Sequence, residues 1–208
     1  MPMANISLSK QDIDYIARVV DTEVPRGLAK SHPSQYSAMV KAVVDTITNR
    51  VVSPQFPSTV KDVINQNRQF SKIAGPAKLN PYGSVQKAPK ASSKTLGIVS
   101  DHLAARAKGA PSSIGGSVNY ANPYYTDKKN MGWVKSMIDD GAVKLGVGKA
   151  VHYHGLAPGF KAAPSYSVAL SDDNAPFDPG GLIAPKPGGL LVSAAVAAPM
   201  KASAKDIA

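Results

Sequence analysis

The chain has 208 residues, 43% of them hydrophobic and 18% charged, with a formal net charge of +10 and a pI near 9.7. That length buries one sizeable core with room for an appendage, and the lack of cysteine excludes a disulfide framework, a thiolate metal site and a cysteine nucleophile. No basic start leads into an apolar run of signal-peptide length and no window of about 18 apolar residues occurs, so neither a signal peptide nor membrane insertion is expected, while the basic charge favours an acidic partner: nucleic acid, an anionic membrane surface or an anionic cell-wall polymer.

The first segment, QDIDYIARVVDTEV, places Ile13, Ile16, Ala17, Val20 and Val24 at the three-and-four spacing of one helix face. SKQD ahead of it reads as a capping box opening at Ser9, and Pro25 and Gly27 end the helix. In its last turn stands Glu23, the only glutamate in the chain against 13 aspartates. Three residues after Val20, its carboxylate belongs at the edge of the apolar stripe, facing inward or into a cleft.

PSQYSAMVKAVVDTITNRV carries the same period more strongly, through Tyr36, Met39, Val40, Val43, Val44, Ile47 and Val51, and predicts a buried helix over 34–51. SPQFPSTVKDVINQNRQFS follows as a Pro-rich turn, a short helix with Val60, Val63 and Ile64, and then QFS. Residues 72–91, rich in Lys, Pro, Gly and Ala, predict a surface loop. SSKTLGIVSDHLAARAKG predicts a serine-capped helix with Leu96, Val99 and Leu103 on one side and Lys108-Gly109 as its stop. SVNYANPYY, GWVKSMIDDG and AVKLGVGKAVHYHG predict a small antiparallel sheet or extended loops over about 117–156. From about 158 the chain is mostly Ala, Pro, Gly and Ser, a tail or linker without its own core. The expected organisation is a domain over 1–157 and a tail over 158–208.

Taken in order, Thr22-Glu23 with Gly27, the helix ending in AVVDTITNRV, then FPSTVKDVINQNRQFS, NYANP, Trp133 and the closing GVGKAVHYH, the chain resembles the SleB-type cell wall hydrolases, the spore-cortex-lytic family. The block over 40–71 is the most specific part, and the whole resemblance covers about residues 11–156. It implies an α+β, lysozyme-like domain: a mainly helical lobe, a small antiparallel β lobe and a substrate cleft between them. It further implies cleavage of the peptidoglycan glycan strand between N-acetylmuramic acid and N-acetylglucosamine by a lytic transglycosylase whose catalytic residue is Glu23. By the same resemblance Gln69, Ser71, Tyr120 and Asn122 supply dipoles to the substrate. Tyr124 and Trp133 are expected to stack on sugar faces, the alternative for these two and Tyr120 being ordinary core or surface aromatics, and His152 is counted among the expected substrate-binding residues. Two departures stand out. EVPRG is followed by LAKSH where the family writes E-A-x-G-E, and Ala150 stands where the family carries a histidine.

Cleaving a glycosidic bond needs an acid still protonated near neutral pH, and partial burial raises a carboxyl pKa in that way. A simple hydrolase also needs a second carboxylate at a defined separation. Asp21 is near in sequence, and Asp45, Asp127, Asp139 and Asp140 are farther off. A lytic transglycosylase needs none, because the glutamate that gives its proton can take one back from the substrate's C6 hydroxyl. Without the family, the simplest reading of Glu23 is a helix-end carboxylate paired with Arg26 or Arg50.

His152 and His154 in H-Y-H would share one side of a strand as a metal pair does, but a third ligand and any HExxH-like partner are missing, so no metal and no cofactor are expected. GAVKLGVGKA lacks the spacing of a phosphate loop. The lysines scatter over loops without a basic helix or aromatic motif, so no nucleic-acid partner is expected. The competing class is a non-catalytic virion structural protein, or a polyanion- or cell-wall-binding protein, on the same fold. A wall enzyme without a signal peptide must be delivered to the periplasm or cell exterior. The expected routes are a bacteriophage, as an endolysin or a virion component docked through the tail onto virion structural proteins, and a dedicated secretion system.

Overall fold

The computed structural model describes residues 4–75 and 81–171. In chain order they form β1 (Ala4–Leu8), α1 (Lys10–Glu23), α2 (Leu28–Ser31), α3 (Pro33–Val52), α4 (Val60–Asn65), α5 (Ser71–Ala74), α6 (Ser93–Ala107), β2 (Asn119–Ala121), α7 (Met131–Asp139), β3 (Val143–Val147), β4 (Ala150–Gly155) and β5 (Tyr166–Leu170). The fold is α+β and mainly helical, with a small antiparallel sheet ordered β2-β4-β3.

The capping box at Ser9 forms: its hydroxyl accepts from the Asp12 N–H at 3.1 Å while the Asp12 carboxylate accepts from the Ser9 N–H at 3.0 Å. α1 stops at Glu23, and Val24, before Pro25, is extended at φ −92° and ψ 124°. α3 is buried nearly all round, so it is the axis of the domain rather than an amphipathic surface helix. Around it gather Ile16, Val20, Val63, Ile64, Phe70, Val99 and Leu103 in one core. Although α3 has 20 residues, no helix among the described residues is long and apolar enough to cross a membrane.

The sheet lies between α3 and α7, with alternate residues facing opposite ways. Tyr120, Leu145, Val147 and Ala150 pack on the main core, whereas Ala121 and Tyr153 join Val134, Met137 and Trp133 in a smaller cluster under α7. Gly155 allows that approach, since a Cβ there would stand 2.7 Å from Met137 Cγ.

Four sequence expectations change. GWVKSMIDDG is helix, not strand or loop: Met131, Val134 and Ile138 are spaced three and four apart, a period masked by the flanking glycines. Leu96 is 40% exposed, because the inward face of α6 is Thr95, Val99, His102, Leu103 and Arg106, whose polar members meet buried aspartates. The loop within 72–91 contributes core, with Val85 and Ala88 buried, the Val85 N–H bound to Asn65 Oδ1 at 2.9 Å and the Ala88 carbonyl held by Arg18 at 2.8 Å. Packed structure also continues past the boundary expected at 157.

There, β5 pairs in parallel with β1, which the sequence reading had not singled out, and Val168 enters the main core. Phe160 stacks on Phe56 at 5.5 Å, and Gln55 bonds the backbone of Gly159 and Lys161 at 3.0 and 2.7 Å. The rest of the expected tail, residues 172–208, and with it any docking on virion proteins, lies outside the described residues.

Candidate active site

The end of α1 delivers Glu23 to the inner face of the sheet, where Tyr120 of β2 donates a hydrogen bond from its hydroxyl to Glu23 Oε2 at 2.9 Å. Glu23 Oε1 is buried with no hydrogen-bond partner, although the residue as a whole retains some exposure. Among the described residues no lysine or arginine makes an ion pair with Glu23; Arg26 pairs with Asp21 instead. Burial is the strongest influence on Glu23 and raises its carboxyl above the ordinary 4.5, against smaller opposing effects of the Tyr120 hydrogen bond and the charges of Lys72 and Arg50.

Tyr120 is placed by the C-terminal turn of α3. Asn49 Nδ2 donates to the carbonyls of Gly115 and Ser117 at 2.9 and 2.8 Å, and Arg50 Nε donates to that of Val118 at 2.6 Å. These bonds fix the segment entering β2. The buried guanidinium of Arg50 lies 5.1 Å from the Phe56 ring centroid and 5.5 Å from that of Phe70, and burial lowers its pKa to about 10. Phe70 in turn packs against Tyr120 at 6.4 Å.

His152 and His154 share one side of β4, as alternation requires, and both pack on the Tyr120 ring, at 4.9 and 5.3 Å between centroids. His154 Nδ1 lies 3.1 Å from Thr46 Oγ1, while His154 Nε2 and His152 Nδ1 are buried without partners. Burial lowers His152 to about 4 and His154 well below its ordinary value, so both rings are neutral at pH 7. Burial also raises Tyr120 well above 10, with the Glu23 charge adding to the effect, so its hydroxyl stays a donor. Among the described residues no cluster of three His, Asp or Glu is arranged to hold a metal ion.

The structure thus brings together Glu23, Tyr120 and His152 of the residues expected from the sequence. Gln69 and Ser71 are the chain neighbours of Phe70, whose ring packs on Tyr120. Asn122 and Tyr124 sit on the turn after β2, with the Asn122 amide donating to the Lys149 carbonyl at 2.8 Å. Trp133 lies with the smaller cluster under α7, its Nε1 buried and unpartnered. Sequence reasoning missed Phe70 and Thr46 as parts of the site. It weighed Arg50 only as an ion-pair partner and His154 only as a metal ligand. The legible signal was a run of polar residues, Asp45, Thr46, Thr48, Asn49 and Arg50, on a helix too apolar to be a surface one.

Of the other carboxylates, Asp21 is buried and receives hydrogen bonds from Thr95 at 2.5 Å, Ser92 at 3.1 Å and Arg26. Asp45 is enclosed by His102 at 3.0 Å, Arg106 at 3.3 Å, and the Ser113 N–H and hydroxyl, both at 2.7 Å. Asp127, Asp139 and Asp140 are exposed.

An α+β domain that holds one buried carboxyl, lacking a countercharge in contact, against an aromatic and imidazole wall has the makings of an acid-base enzyme site. The cell wall hydrolase family matches residues 34–146, more than half of the sequence, and the chain belongs to that family. The matched segment contains Arg50, Phe70 and Tyr120, with Glu23 just before it and His152 and His154 just after. Solved structures similar to this one include the catalytic domain of the germination-specific lytic transglycosylase SleB from Bacillus anthracis, with 24% identity and a TM-score of 0.48 over 72% of this chain and 97% of that one. The catalytic domain of Bacillus cereus SleB is similar at 23% identity and a TM-score of 0.45, over 71% of this chain and 91% of that one. Among curated proteins no match was found.

Proposed function

We propose that this cell wall hydrolase cleaves the glycan strand of peptidoglycan between N-acetylmuramic acid and N-acetylglucosamine, as a lytic transglycosylase with Glu23 as general acid and then base. The observation that carries the reading is the division of labour between the two Glu23 oxygens. Oε2 accepts from Tyr120, whereas Oε1 is buried without a protein partner. Since the Tyr120 hydroxyl donates to Oε2, the carboxyl's own proton belongs on Oε1, the oxygen with a bond left to give.

That proton goes to the glycosidic oxygen as the C1–O bond breaks, leaving an oxocarbenium-like N-acetylmuramoyl unit and a Glu23 carboxylate. The C6 hydroxyl of the same sugar then bonds C1 and returns its proton to Glu23, closing a 1,6-anhydro ring without consuming water. One carboxyl completes the cycle. The enclosure of Asp21 and Asp45 in their own hydrogen-bond networks supports a reaction that needs no second carboxylate. Gln69, Ser71 and the neutral His152 are assigned to the substrate side of the site in this reading.

The test is mass spectrometry of fragments released from purified peptidoglycan, beside a folded Glu23→Gln control. Fragments ending in 1,6-anhydro-N-acetylmuramic acid, lost in the control, are the expected result. Water-added ends would redirect the mechanism to the exposed aspartates, and retained activity in Glu23→Gln would remove Glu23 from it.

A further inference from the structure

The turn after β2 is built with a rigidity that the chemistry at Glu23 does not call for. Asn122 holds it at four points. Its Oδ1 accepts from the Tyr124 N–H at 3.0 Å, and its carbonyl accepts from the Tyr125 N–H at 3.1 Å and the Thr126 hydroxyl at 2.9 Å. Its Nδ2 donates to the Lys149 carbonyl at 2.8 Å, tying the turn to the β3–β4 connection.

What the turn presents is a pair of adjacent rings: Tyr124 is 59% exposed and Tyr125 75%, against 38–40% for Leu96, Val143 and Leu170, the other exposed large hydrophobic side chains among the described residues. Aromatic rings gain more than most side chains from burial, so two of them held in water on a fixed turn form a surface suited to being covered. Lys128, Lys129 and Lys149 are exposed in the same two connections, against the single carboxylate of Asp127. The turn also has a fixed relation to the reacting carboxyl. Tyr120 bonds Glu23, and Tyr125 follows five residues later, its Cα within about 18 Å of the Tyr120 Cα by the reach of the chain.

We infer that the Tyr124–Tyr125 turn is a distal subsite for the peptidoglycan strand. Tyr124 and Tyr125 stack on the apolar C–H faces of sugars beyond the cleaved bond, and Lys128, Lys129 and Lys149 meet the carboxylates of the attached peptide stems. The inference rests on the proposed peptidoglycan substrate and adds to it. It makes Tyr125 and the three lysines a grip on the polymer, outside the acid-base site, and explains why Asn122 spends its amide on the turn. A low rotamer count makes tyrosine well suited to such a grip, because little freedom is lost when the ring is covered.

The test measures binding of the full chain carrying Glu23→Gln to purified peptidoglycan and to glycan strands stripped of their peptides, in low and high salt. Adding Tyr125→Ala is expected to weaken binding to both polymers about tenfold, and Tyr124→Ala to act in the same direction. Lys128→Gln with Lys129→Gln is expected to weaken binding to the peptide-bearing polymer alone and to reduce its salt dependence. Each variant should keep its melting temperature, since these side chains are exposed. Unchanged binding in the tyrosine variants, while the unsubstituted chain cleaves peptidoglycan, would overturn the subsite and leave the catalytic reading standing. Tyr125-dependent binding by a chain that cleaves nothing would uphold the subsite and overturn the catalytic reading. No binding of either polymer by the Glu23→Gln chain would overturn the subsite whatever the cleavage assay shows.

Discussion

Asp21 and Glu23 stand two residues apart at the end of one helix and show how neighbours set an acid. Burial pushes Asp21 upward, but hydrogen bonds from Thr95, Arg26 and Ser92, with the Arg26 charge, together hold it below its ordinary value. Glu23 has a single donor, and burial prevails. A carboxyl whose folded pKa is raised is fully compatible with the fold below its unfolded value near 4.5, and costs stability as pH climbs through the folded value. Glu23→Gln, neutral at every pH, should therefore raise the melting temperature at pH 7 by about 2–4 °C per kcal/mol relieved, with the gain vanishing toward pH 4. Equal melting temperatures at both pH values would mean that Glu23 is well solvated. Tyr120→Phe removes a bond that favours the carboxylate, so Glu23 should titrate still higher and the alkaline limb of the kcat/KM profile should move to higher pH. A limb that stays put would separate that titration from Glu23.

Among the elements, α3 carries the site. Its polar end secures the entry to β2 through Asn49 and Arg50, its Thr46 meets His154, and its Asp45 gathers α6 and the segment at Ser113. The "NRV" ending that stood out in the sequence has a physical meaning here: a backbone clamp that faces Tyr120 toward Glu23. β5 is the element whose importance was least visible. The Tyr166 hydroxyl donates to Asn49 Oδ1 at 2.9 Å and lies in hydrogen-bond contact with Thr48 Oγ1 at 2.7 Å, so this strand braces the same turn of α3. A chain ending at Ala157 should lose on the order of 5 kcal/mol relative to one ending at Ser171, through the exposed β1 edge, the Val168 pocket and these bonds. Thermal denaturation of the two truncations checks this, and equal melting temperatures would return residues 158–171 to the status of a tail.

For the whole molecule, acid should be the more dangerous direction. The folded pKa of His152 is lowered to about 4 from 6.5, so its contribution to stability is present above pH 6.5 and is lost as pH falls toward 4. That loss is worth about 3 kcal/mol for His152, and His154 acts in the same direction. Glu23 opposes it with a single group. His152→Phe keeps a ring against Tyr120 and, at the unpartnered Nδ1, gives up no hydrogen bond, so it should flatten the fall in melting temperature between pH 6.5 and 4. An unchanged slope would place the acid sensitivity elsewhere.

Local pattern was enough for α1, α3, α4 and α6, and for Glu23 at a helix end, because caps, prolines and apolar spacing act within a few residues of one another, while for AVKLGVGKAVHYHG it left a small antiparallel sheet and extended loops both open. The same pattern failed for β1 and β5, whose pairing joins residues more than 150 positions apart, and for α7, whose period is short and flanked by glycine. It also could not say what surrounds the acid. Asp21 and Glu23 are both carboxylates on one apolar helix, and only the packing of Ser92, Thr95 and Arg26 about one, and the burial of the other beside Tyr120, holds the first below its ordinary pKa and raises the second above it. Chain order supplies the residue types, but burial and hydrogen bonding, which set a proton's affinity, are properties of the neighbours that the fold assembles.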